Sequence, residues 1–180
     1  MSKDIKKIGI PIAAIAVALV LIAPAMLSTG AFAIDPIDTT RDGDLHFVGS
    51  PQLTVDKTDG ATLTATGDVA GAGTDAGTAT LSADVSATAG CINPPGNKVL
   101  PGQEDVSTTV TATATFEPTS EGSAEYEVTT EPLTIEDFDF ECPSAKMTET
   151  LVGAITFSDP ALTIEAQTGT ITATYADVDP

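Results

Sequence analysis

The sequence predicts an all-β chain: an antiparallel β-sandwich of about eight or nine strands, immunoglobulin-like in layout, following an N-terminal signal helix. Three observations carry this. Apolar and polar residues alternate with period two in one run after another beyond residue 33. Turn-forming pairs punctuate these runs at near-regular intervals. No stretch beyond residue 33 has a convincing helical period.

The first element is the export segment. Residues 1–7 (MSKDIKK) are basic, Ile8 to Leu27 are almost wholly apolar, and Ala31-Phe32-Ala33 places small residues where a signal peptidase needs them. The sequence thus predicts a signal peptide over 1–33, cut after Ala33 on recognition of Ala31 and Ala33, with Ile34 as the new N-terminus. The rival is an uncleaved membrane anchor, because the apolar run is long enough to cross a bilayer of ~30 Å. Lys3, Lys6 and Lys7 hold the N-terminus inside under both readings. The predicted location is therefore extracellular or at the cell surface. The only membrane contact expected is this segment, if it stays uncleaved.

Residues 34–43 (IDPIDTTRDG) are polar and read as a flexible lead, and 44–178 read as a single sandwich domain. In 78–89, Ala79, Leu81, Ala83, Val85 and Ala87 share one face and Thr80, Ser82, Asp84, Ser86 and Thr88 the other. In 105–117, Val106, Thr108, Val110, Ala112, Ala114 and Phe116 lie opposite Ser107, Thr109, Thr111, Thr113 and Thr115. Segments 61–71, 124–130, 149–157 and 170–176 follow the same rule. Asp59-Gly60, Gly71-Ala72-Gly73, Asp75-Ala76-Gly77, Glu121-Gly122, Asp159-Pro160 and Thr168-Gly169 supply the expected turns. Thr makes up 28 of the 147 residues after Ala33, and its branched Cβ suits an exposed pleated surface.

Two segments break the alternation. Gly90–Glu104 holds three Pro and three Gly in fifteen residues and reads as the one long connection, either a pinned crossover between sheets or a functional loop. In Leu133–Cys142 the apolar phase switches from Leu133 and Ile135 to Phe138 and Phe140, which demands a bulge or turn near Glu136-Asp137. Cys91 and Cys142 are the only cysteines. In an exported chain they read as one disulfide; a metal pair or redox couple fits less well, since the spacing is not C-x-x-C and His46 is the sole imidazole.

The stretch Cys91–Gln103, written C-x-N-P-x-G-N-x-x-x-P-G-Q, the opening Leu45-His46-Phe47-Val48-Gly49-Ser50-Pro51 and the later Cys142-Pro143 together resemble a small group of exported, disulfide-containing all-β proteins of actinobacteria and archaea, of uncharacterised function. The resemblance implies export, a disulfide and an all-β fold, and supplies no catalytic residues. Members often carry a further Cys after the opening patch; Leu53-Thr54-Val55 stands there without one, so a second bridge is absent.

Charge narrows the function. The chain carries 26 acidic and 7 basic side chains, net −19. Residues 1–33 hold one of those acids (Asp4) and three of the bases, which leaves 25 acids against 4 bases, net −21, for the remainder. Such a surface does not bind nucleic acid through phosphates, nor an anionic membrane by charge. The acidic groups are the one abundant reactive resource. Asp42 and Asp44, and Asp137, Asp139 and Glu141, are the candidate calcium ligands, although no complete calcium-loop motif is present. The bland alternative is a solvated acidic face. No cofactor is expected, with Ca²⁺ as the one these acidic residues could take.

No catalytic residue is assigned, and the chain reads as a non-enzyme. His46 is the sole histidine, no G-x-S-x-G turn exists, and Trp is absent; a hydrolase using paired carboxylates is the remote enzymatic alternative. The expected function is a structural or adhesion-type domain at the cell surface or in secreted material, in a sharper form a self-assembling fibre or matrix subunit that donates residues 34–48 to a neighbour's sheet. The alternative is a module binding Ca²⁺ or another ligand. Expected partners are copies of itself or other surface proteins.

Overall fold

Alternation by two puts every second side chain on one face of a strand, and the chain buries those faces against each other. The computed structural model describes residues 32–57, 60–93, 98–99 and 102–178. They form ten strands: β1 (Phe32–Ile34), β2 (Asp38–Thr39), β3 (His46–Asp56), β4 (Thr62–Ala70), β5 (Gly77–Asn93), β6 (Lys98–Val99), β7 (Glu104–Phe116), β8 (Ala124–Thr129), β9 (Thr148–Ala166) and β10 (Gly169–Thr174). A single 3₁₀ turn, Ile135–Asp137, interrupts the connection between β8 and β9.

All pairings are antiparallel, in two sheets. The first runs β1-β3-β4-β8; the second runs β2-β10-β9-β5-β6, with β7 also paired to β5. Ala79, Leu81, Ala83, Val85 and Ala87 of β5 are all buried, as their shared phase requires. They meet Leu53, Val55, Leu63, Ala65, Val69, Tyr126 and Val128 of the first sheet and Phe157, Leu162, Ile164, Ile171 and Ala173 of their own in one continuous core. Each buried Leu, Ile or Phe stabilises the fold by roughly 1.5–3 kcal/mol relative to exposure.

The expected strands and phases are present, and the break at Glu136-Asp137 is the 3₁₀ turn. Leu133 and Phe138 are both buried because that turn separates them. Three expectations differ. Asp159-Pro160 does not end a strand: β9 passes through it on a bulge, with Asp159 at φ +49° and a register shift opposite Ser82/Asp84. A second shift, opposite Ser86/Thr88, adds further residues around Gly153, whose φ is +92°. Bulges hold a 19-residue strand against one neighbour while bending it. Next, the long connection is shorter than expected: Gly90–Asn93 complete β5, and Ile92 and Asn93 pair with Val99 and Lys98. The rest of that connection, residues 94–97 and 100–101, lies outside the described residues.

Finally, the lead 34–43 is tied down. Ile34 pairs with Leu53, and Asp38 and Thr39 pair with Thr174 and Ala173. The Ile37 N–H donates to the Thr174 carbonyl at 2.8 Å, and the Thr40 N–H to that of Thr172 at 2.8 Å. One segment therefore straps the edge of each sheet, β1 on β3 and β2 on β10. Ala33, at the predicted cleavage point, sits inside β1 opposite Thr54. The signal helix and Ala31 lie outside the described residues.

Candidate functional site

Of the expected calcium ligands, Asp42 and Asp137 engage main-chain groups through their carboxylates. Asp42 and Leu45 exchange main-chain hydrogen bonds (3.2 and 3.0 Å), and the Asp42 carboxylate accepts the Thr170 N–H at 3.1 Å. Its side chain thus holds the strap loop onto the β9–β10 turn. Asp44 offers its carbonyl to His46 Nδ1 at 2.7 Å. The Asp137 carboxylate accepts the Thr134 N–H at 2.7 Å and the Thr134 hydroxyl at 3.0 Å, closing the 3₁₀ turn. Asp139 and Glu141 are exposed on the segment running to Cys142. Among the described residues no three His, Cys, Asp or Glu side chains come together in a way that could hold a metal ion.

Cys91 and Cys142 are joined, with their Cα atoms 5.8 Å apart. Cys91 lies near the end of β5, paired with Glu149 of β9, and the Glu149 carboxylate accepts the Cys142 N–H at 3.2 Å. Bridge and hydrogen bond together tie the β8–β9 connection to the second sheet.

An acidic surface with two open clefts lies on the outer face of β4 and β8. There Asp68 stands directly opposite Glu125, and Thr66 opposite Glu127. Two open clefts share Asp68 and Glu125: one of about 590 Å³ reaches Val48, Glu117 and Thr119, and one of about 500 Å³ reaches Thr66 and Glu127. Opposed carboxylates repel, and this face attracts cations through its field. Among the described residues its lining holds no imidazole or thiol.

The sequence marks both tyrosines as core residues by phase, and the structure adds what their hydroxyls meet. Tyr126 (β8) and Tyr175 (just after β10) are inward-facing and 6 % and 2 % exposed. The Tyr175 hydroxyl donates to the Pro51 carbonyl at 3.5 Å. The Tyr126 hydroxyl is buried without a partner among the described residues and lies against Gly67, where a Cβ would approach it to 2.6 Å. Burial raises the pKa of both phenols well above the ordinary tyrosine range; Tyr175 and Asp68 push Tyr126 further the same way. The available sequence signal was a Gly inside a strand pattern opposite an inward-phase Tyr. These phenols fill the core and offer no acid or base near neutral pH.

Comparison with family models, curated proteins and solved structures found no match. No helix among the described residues is long and apolar enough to cross a membrane, and the apolar run Ile8–Leu27 lies outside them.

Proposed function

We propose that this chain is an exported, non-enzymatic structural domain of a cell surface or secreted matrix, with an immunoglobulin-like sandwich layout. The Cys91–Cys142 disulfide carries the reading, because such a bridge persists in an oxidising compartment. The seven long strands support the layout. Taken in chain order, the first, second and fifth (β3, β4, β8) make one sheet, and the seventh, sixth, third and fourth (β10, β9, β5, β7) the other. This strand order supports the proposed immunoglobulin-like layout. Asp42, Asp137 and His46 serve main-chain groups, which favours a structural role for them over a ligand-binding one. The fibre form of this reading uses residues 34–48 as donor strand, and such donation must first break the pairs those residues make in their own chain.

The test is to recover the protein from its native host by compartment. The expected result is an envelope or secreted fraction with both cysteines oxidised and an N-terminus at Ile34. A reduced, cytosolic chain would overturn the reading, and an intact N-terminus in the membrane fraction would select the anchored form.

A further inference from the structure

The outer strands of the two sheets are unequal. β1 and β2 are three and two residues long, and β8 is six. β7 is thirteen residues long, pairs with β5 at thirteen consecutive positions without a register shift, and among the described residues pairs with no other strand. Its stretch Val106–Phe116 (VSTTVTATATF) contains no charge, Pro or Gly. Natural sheets blunt a free edge with short length, lysine, proline or a bulge, and β7 has none of these along that stretch. A long, flat, Thr- and Val-rich edge is a template for another strand. On its inner side Val110, Ala112 and Ala114 are only half-buried where they pack against the core. Strand β8 and the connection after it stand beside this strand, with Glu131, Pro132 and Asp137 lining one cleft together with Thr109, Val110 and Thr111, and that connection makes no main-chain hydrogen bond to β7 among the described residues.

We propose that β7 pairs antiparallel with β7 of a second copy, giving a two-fold dimer whose second sheet runs unbroken through both molecules. A two-fold axis normal to the sheet brings like faces together, so the half-buried Val110 and Ala112 extend one apolar surface across the junction. The charge pattern sets the register. The neutral run is bracketed by Glu104 and Asp105 before and Glu117 after, and its middle residue is Thr111. Laid against itself about Thr111, the whole run pairs, with Thr111 facing its own copy and Asp105 meeting the partner's Glu117 at each end. Those end pairs repel, so the dimer strengthens as salt screens them. The proposal rests on the structural-protein reading only in that such a protein meets its own copies at high local concentration. A monomer would remove the dimer and leave export and the disulfide standing, whereas a reduced cytosolic chain would remove that reading and leave this edge unchanged.

Sedimentation of the oxidised, exported protein over a range of concentrations, at low and high NaCl, tests it. A dimer that tightens with salt is expected. Thr111 is exposed, so Thr111→Lys and Thr111→Glu leave the fold intact while placing like charges face to face. Each variant alone is expected to dimerise at least about tenfold more weakly than the parent. A mixture of the two is expected to restore association as a heterodimer. A protein that stays monomeric at every concentration and salt overturns the proposal. So do single variants that dimerise as well as the parent, or a mixture that fails to pair.

Discussion

At the scale of single residues, the informative contact is Gly67 beneath the Tyr126 hydroxyl. The backbone of β4 comes close to that ring only because Gly67 has no side chain. Gly67→Ala forces a shift and is expected to cost about 1–3 kcal/mol in urea denaturation. Tyr126→Phe removes a buried hydroxyl that has no partner among the described residues, so it is expected to be neutral or stabilising by up to about 1 kcal/mol. The double variant should recover part of the alanine loss, since the hydroxyl is the nearest contact and the ring carbon that bears it remains at 3.1 Å; additive losses would show that the ring and not its oxygen sets the spacing. Both phenols also link stability to alkaline pH. A phenol whose folded pKa lies above its unfolded value of about 10 stays protonated in the native state. The unfolded chain releases its protons first, so stability is full below about pH 10 and falls as pH rises beyond it. Thermal melts from neutral to strongly alkaline pH should show that decline, and Tyr175→Phe together with Tyr126→Phe should flatten it.

Among the elements, β5 organises the second sheet: β9 pairs with one side of it, β7 and β6 with the other, and its Cys91 carries the disulfide. The bridge spans a sequence separation of 51 residues, for which the chain-entropy relation gives about 4 kcal/mol. Cys91→Ala with Cys142→Ala is expected to cost about that much in denaturant, and a reductant should lower the melting temperature of the parent but not of the double variant. Most of this element was readable in the sequence, because alternation assigns a face residue by residue and Ala79 to Ala87 stay in phase. The phase switch at Ile135–Asp137 was readable for the same reason. The passage of β9 through Asp159-Pro160 was not: a Pro looks like a stop locally, and only the partner strand shows the extra residues to be a bulge. The strap was equally hidden, since two or three residues carry no period and their main-chain partners lie far along the chain. The acidic candidates were visible as residue types, but whether Asp42 faces a metal or the Thr170 N–H is decided by tertiary contact.

For the whole molecule, the net charge of −19 is the dominant long-range force. Asp68 and Glu125 stand face to face, so the fold carries self-repulsion that added salt relieves. Melting temperature is expected to rise with NaCl. CaCl₂ and MgCl₂ at matched ionic strength should raise it equally, because no three ligating side chains among the described residues converge to prefer one ion; a calcium-specific excess would reveal a site. The strap adds a matter of timing. Residues 38–39 leave the ribosome well before their partners Ala173 and Thr174. A chain made N-terminus first therefore holds this segment unpaired until those partners are made. Strand β10 works as a clock: until it arrives the strap is open to any sheet edge nearby, and once it arrives that interval closes.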